Sequence, residues 1–251
     1  MAETQETATH TPKGAPLFGG LLAVSVAMIL SSWIGATALG NFRRADDVIV
    51  VTGAAKQPIT ADSIVWKFSV AYQASTLQAA YQGVTKGTTR IRQFIEDQQL
   101  SAEVVYSALE TYVVPEVINN RETGRPLAYR LTQRVEVRSA DVDRITRLVQ
   151  QANALINEGI PLVSEPPEYL YTGLADLRVE MLAAAVKDAR LRAEAIAKSG
   201  QSQVGPVRRV DTGVFQITRR NSTEVSDYGT YDTSSRDKDI TAVVSVTFSL
   251  R

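Results

Sequence analysis

The sequence predicts an α+β fold of mostly antiparallel sheets packed with three helices, preceded by one N-terminal transmembrane helix. Three observations carry this expectation. Several segments alternate apolar and polar residues with a period of two, and three others place apolar residues every three to four positions. Residues 16–42, in turn, contain no charged side chain. One-sided alternation marks antiparallel sheets with one wet face or a second packed layer.

The uncharged stretch comes first. Residues 17–39 (LFGGLLAVSVAMILSSWIGATAL) are long enough to cross a hydrocarbon core of about 30 Å as a helix. Trp33 and Phe42 lie toward one end, as interfacial aromatics do, and the segment is apolar on every face, unlike a surface helix of a soluble domain. Ala36-Thr37-Ala38 has the form of a signal-peptidase site, so a cleaved periplasmic form is the alternative. The run exceeds an h-region of about 7–15 residues, and the tail with Glu3, Glu6 and Lys13 is no positive n-region; both favour an uncleaved anchor. Ala23, Ala27, Ser31 and Gly35 recur every fourth position and form a strip of small side chains suited to close packing of membrane helices. The expected organisation is therefore a polar tail over 1–16, an anchor over 17–39, a juxtamembrane linker over 40–46 and one domain over 47–251. Lys13 before the anchor against Arg43 and Arg44 after it weakly favours a cytoplasmic C-terminal side, although large domains cross membranes with little regard to such charges.

Within the domain, 48–53 reads as a first strand, and Ile64, Trp66, Phe68, Val70 and Tyr72 share one face of a second. Leu77, Tyr81, Val84, Thr88, Ile91 and Ile95 form a helical stripe that Gly83 and Gly87 interrupt, each costing about 1 kcal/mol against Ala unless something packs closely there. A strand over 104–114 follows, then one in which Leu127, Tyr129, Leu131, Val135 and Val137 share a face. Val142, Ile145, Leu148, Val149, Ala152, Leu155 and Ile156 make a second helical stripe, with Asp141 as its cap and Gly159 as its stop. The third helix runs from Leu174 to about Ser199 and ends at Gly200, with the stripe Val179, Leu182, Val186, Ala189, Ala193 and Ile196. A strand over 204–218 leads into residues 219–238 (RRNSTEVSDYGTYDTSSRDK), which read as a flexible, solvated loop with Tyr228 and Tyr231 as candidate partner contacts. Ile240, Ala242, Val244, Val246, Phe248 and Leu250 share a face of the closing strand.

Composition narrows the chemistry. The 251 residues include 27 Lys+Arg, 27 Asp+Glu, one His and no Cys. Charge balance argues against nucleic-acid binding, which needs a basic surplus. Without Cys there are no disulfides, thiolate metal sites or cysteine nucleophiles. The single His10 sits in the polar tail, which removes Ser-His-Asp triads and imidazole shuttles from the domain. Glu165-Pro-Pro-Glu168 sets two carboxylates on a stiff turn, the remaining arrangement able to act as acid and base; a Pro-Pro linker accounts for the same residues. Asp46-Asp47 reads as a solvated pair, the aspartates at 227, 232, 237 and 239 lack EF-hand spacing, and no phosphate-binding glycine loop occurs. No catalytic, cofactor-binding or metal-binding residues are assigned, and the chain is read as non-enzymatic.

The order of elements resembles the SIMPL-domain family of bacterial cell-envelope proteins, which includes periplasmic immunogenic and oxidative-stress defence-type members. The resemblance lies in residues 49–53 (IVVTG) followed by Pro58, 100–105 (LSAEVV) leading into a strand, 129–137 (YRLTQRVEV), Gly205-Pro-Val207 and the closing strand. It is strongest at 182–198 (LAAAVKDARLRAEAIAK), similar to the family's A-x-x-D-A-x-x-K-A-x-x-L-A helix. Departures are Ala54-Ala55 where a second glycine is common, Ile59 after Pro58 where Asp is frequent, and Gln99 where glycine usually precedes the third strand. The resemblance implies an extracytoplasmic domain on the inner membrane, in the periplasm or outside, that assembles with copies of itself into ring- or channel-like oligomers, in an envelope or stress-defence setting. The alternatives are a monomeric or small-oligomer binding module that uses the 219–238 loop, and a His-free carboxylate hydrolase.

Overall fold

The computed structural model describes residues 24–33, 47–224 and 226–251. Residues 24–33 form helix α1, whose apolar side chains, among them Met28, Ile29 and Trp33, are exposed. Ala27 and Ser31 lie on it, exposed, while Ala23 and Gly35 and the rest of the expected anchor lie outside the described residues. No helix among the described residues is long and apolar enough to cross a membrane.

The domain has mixed α+β architecture. In chain order it runs β1 (Val48–Thr60), β2 (Ser63–Ala74), α2 (Leu77–Asp97), β3 (Glu103–Tyr106), β4 (Glu110–Ile118), β5 (Arg121–Ser139), α3 (Val142–Gln151) and α4 (Ala154–Asn157). It continues through β6 (Leu162–Ser164), β7 (Glu168–Leu170), α5 (Leu174–Ser199), β8 (Val204–Thr212), β9 (Gln216–Arg219), β10 (Thr230–Tyr231) and β11 (Asp237–Leu250). One sheet has the order β1-β11-β9-β10 with β8 also on β11; the other has the order β3-β5-β2-β6, with β4 on β5 and β7 on β2. The second sheet is antiparallel throughout, and in the first only β10 runs parallel to its partner β9 among the described registers.

The domain divides into two compact units. One holds the described residues up to Val51 together with Leu191–Val210 and Val246–Arg251; the other holds Thr52–Arg190 and Asp211–Ser245. In the first, Gln203 and Arg251 exchange backbone hydrogen bonds, and the Leu250 N–H donates to the Asp47 carbonyl. The second contains the main core. There β2 and β5 pair in register, Trp66 opposite Val137 and Phe68 opposite Val135, so the alternating apolar residues of both strands lie on one face. Helix α2 lies on that face with Val84, Ile91 and Ile95, and α3 adds Val142, Ile145 and Leu148. Thr76 caps α2 by accepting from the Ala79 N–H, and Asp141 caps α3 by accepting from the Arg144 N–H at 3.0 Å, so each satisfies a helix-start donor. Gly159 follows α4 with φ +82, as its expected role as a stop requires.

Several expectations need correction. The strand expected over 104–114 is two, β3 and β4, because Ser107 turns out of line to bond Arg134 and Gln133. The strand expected over 204–218 breaks at Gly213, whose N–H donates to Val243 O at 2.9 Å. The second helix is α3 and the short α4, and Ile156 is exposed. On α2, Ala80 takes the buried place expected of Leu77 and Tyr81, which stand at the helix start with half their surface in solvent. On α5 the buried line is Leu177, Met181, Ala185, Ala189, Ala193 and Ala197, leaving Val179 and Ile196 exposed. Where α5 meets Gly53 the buried positions are alanines, Ala185 and Ala189, and close approach of this kind is a preference that a hydrophobicity pattern cannot register.

Candidate functional site

Within the second unit, polar chemistry concentrates around residues 216–239. The expectation of a solvated loop holds at its tip and fails at its end. Tyr228 is 96% exposed, but Lys238 is only 1% exposed. Lys238 lies in β11 two residues before Ile240 and therefore on the same buried face of the strand. Its Nζ donates to the Tyr169 carbonyl at 2.6 Å and to the Asp232 carbonyl. Burial pushes the Lys238 ammonium below the ordinary lysine value, while the Asp232 carboxylate acts in the opposite direction. Asp232 feels burial too, but the Ser234 hydroxyl and N–H and the Lys238 charge hold its carboxyl below the usual range.

Two ion pairs brace the same segment. Arg236 grips Asp143 at the start of α3 through both terminal guanidinium nitrogens, and these hydrogen bonds, with the charge behind them, hold the Asp143 carboxyl low. Burial pushes the Asp239 carboxyl up, but Lys56 at 3.0 Å and the Asn221 N–H outweigh it and keep it ionised. Gln216 supports the tip: its Nε2 donates to the Ser226 carbonyl at 2.6 Å, and Gly229, at φ +83, closes the turn on the same carbonyl. Tyr231, partly exposed, places its ring 5.7 Å from Lys238 Nζ. Of the two expected contact residues, Tyr228 is thus presented outward from a braced base, whereas Tyr231 belongs to that base.

The paired glutamates do not act as a pair. Glu168 binds Lys67 at 2.7 Å, raising the Lys67 pKa, and Glu165 lies exposed with its N–H on the Lys67 carbonyl. Among the described residues no three His, Cys, Asp or Glu side chains are grouped to hold a metal ion.

A different juxtaposition joins β1 to α5. Gly53 of β1 faces α5 so closely that a Cβ there would sit 2.2 Å from the Ala185 carbonyl oxygen and 2.5 Å from the Ala189 nitrogen. One residue on, the Ala54 N–H donates to Asp188 Oδ2 at 2.9 Å. Two short motifs far apart in the chain are therefore halves of one contact. The family model of SIMPL, described as "Protein of unknown function (DUF541)", matches residues 49–248. The chain belongs to the SIMPL family. In this chain its V-T-G and A-x-x-D-A motifs are packing devices: Gly53 omits a side chain, and Ala185, Asp188 and Ala189 fill the space and supply the carboxylate.

No curated protein matches the chain. Among solved structures, "The crystal structure of AtUAH in complex with glyoxylate" aligns at 17% identity over 49% of this SIMPL chain and 30% of that one, with a TM-score of 0.23, too slight a likeness to carry an argument. This chain thus spans under a third of that structure's length. The departure at Gln99 also finds its place. Gln99 adopts φ +49 directly after α2, the left-handed conformation for which glycine is the ordinary choice. Lys238 is the residue sequence reasoning missed. The signal was present, since the even-numbered phase of the closing strand, extended back two residues, puts it on the buried face.

Proposed function

We propose that this SIMPL chain is a non-enzymatic cell-envelope protein, anchored in the inner membrane by residues 17–39 with its domain outside the cytoplasm, that assembles with copies of itself. The observation that carries the anchor is α1: Val24, Val26, Met28, Ile29, Leu30 and Trp33 are all exposed, an arrangement favourable in lipid and costly in water. Exposed apolar side chains on β4 and β5 support self-assembly, because patches of this kind mark association surfaces. Fusing a reporter active only outside the cytoplasm to Arg251 tests topology; activity supports the reading and silence overturns it. Native mass measurement of the detergent-purified chain tests assembly, and a monodisperse monomer refutes it.

A second reading has its own support. Tyr228, almost wholly exposed on a braced turn, suits capture of a protein partner, and tyrosine offers contact area at low entropic cost. Tyr228→Ala then abolishes capture without changing thermal stability.

A further inference from the structure

Residues 230–236, which include β10, form a strap within the second unit. Three backbone hydrogen bonds tie it down. The Asp232 N–H donates to the Ile217 carbonyl at 2.9 Å, the Tyr169 N–H to the Thr233 carbonyl at 2.7 Å, and the Ala61 N–H to the Arg236 carbonyl at 2.9 Å. Regular pairing adds little, since β10 meets β9 over two residues only. The side-chain ties from Arg236 to Asp143 and from Thr60 to Asp237 are exposed, and exposed ties are weakened by solvent.

The buried tie comes from Lys238. Its ammonium donates to the carbonyls of Tyr169 and Asp232, and the Tyr231 ring stands 5.7 Å away. Asp232 and Tyr231 belong to the strap, whereas Tyr169 belongs to β7 of the six-stranded sheet. One ammonium therefore joins the two. Asp232 Oδ1 accepts from Ser234, while its Oδ2 is buried with no hydrogen-bond partner among the described residues. A carboxylate so placed is costly unless a positive charge lies near, and the Lys238 charge acts on it. Carbonyl oxygens, an aromatic ring and a carboxylate are the groups that recognise a free ammonium. Here the cation is tethered to the chain, so its effective concentration is high. Its loss would leave both carbonyls and the carboxylate without their shared partner.

We propose that the strap is latched by this tethered cation: the Lys238 ammonium fills a cage fitted to a primary ammonium, and residues 230–236 open as one unit when the cage is emptied. The latch is independent of the anchor and of self-assembly. Hydrogen exchange of the full-length chain in detergent micelles, read by mass spectrometry, tests it with two variants. Lys238→Ala empties the cage, and Lys238→Met fills it with an uncharged chain. The expected result is several-fold faster exchange over 230–238 in both, with β2 and β5 unchanged. Ammonium chloride then restores protection to Lys238→Ala but not to Lys238→Met. Tetramethylammonium chloride at the same concentration, lacking an N–H donor, restores neither. Wild-type protection in both variants overturns the latch. Failure of ammonium to restore Lys238→Ala, or equal rescue by the two salts, overturns the fitted cage. Acylation of the native wild-type chain needs no variant to fold: Lys238 reacts several-fold more slowly than the exposed Lys86, and chains acylated at Lys238 lose protection over 230–238. Acylated chains that stay protected overturn the proposal.

Discussion

The second unit contains two helix-on-sheet contacts solved in opposite ways. On α2 the small residues are in the helix: Gly83 and Gly87 open a slot for the ring of Tyr72 on β2. On α5 the helix presents alanines, and the missing side chain is on the strand, at Gly53. In the first contact the obstacle to a Cβ is a side chain; in the second it is helix backbone. Side chains can turn aside, but a hydrogen-bonded backbone cannot move without unwinding the helix. The tolerance of the two sites to the same substitution should therefore differ widely.

The largest effect is expected at Gly53→Ala. With backbone atoms 2.2 and 2.5 Å from the new methyl, β1 and α5 must separate, at a cost of roughly 3–5 kcal/mol in urea unfolding. A loss under ~1 kcal/mol would erase the distinction drawn here. Asp188→Ala comes next, at about 2 kcal/mol, because it strips a charged acceptor from the Ala54 N–H. Gly83→Ala should cost about 1–2 kcal/mol: its Cβ meets Tyr72 Cδ1 at 2.6 Å, which outweighs a helix-propensity gain of about 1 kcal/mol. Gly87→Ala, at 3.1 Å from the outer part of the ring, should be close to neutral, and a double-mutant cycle with Tyr72→Leu separates the two glycines.

At their C-terminal ends the two helices agree. Gln99 after α2 has φ +49, and Gln201 after α5 has φ +57, with the Ser202 N–H donating back to the Ala197 carbonyl. Both are left-handed positions occupied by a side-chain-bearing residue. Gln99→Gly and Gln201→Gly should each stabilise by up to ~1 kcal/mol, seen as a small rise in thermal midpoint. These are the smallest effects, and a decrease at either site would show that its glutamine makes a contact of greater worth.

What the sequence made legible was set by periodicity. β2, β5 and β11 carry period-two alternation strong enough to fix their faces, and Asp141 and Gly159 mark ends by simple local chemistry. The misreadings share a cause. On α5 the apolar residues fit two phases, and the buried line is the one that sets Ala185 and Ala189 against Gly53, which leaves Val179 and Ile196 outward. On α2, Leu77 and Tyr81 fit the periodic stripe but stand beyond the end of what the stripe covers. Lys238 reads as loop by its charge, whereas its phase in the closing strand puts it on the buried face. In each case the deciding fact was the distance to another part of the chain, which a local pattern does not contain.

The pairing of β1 with β11 has a consequence in time. β1 ends at Thr60 and β11 begins at Asp237, so roughly 180 residues must be synthesised before the first strand can meet the last, on the order of 10–40 s at ~5–20 residues per second. During that interval β1 waits without its partner strand. β2, α2 and β5 can by then be assembled, so one sheet is complete long before the other can close. The sheet that holds both ends of the domain is thus the last to close.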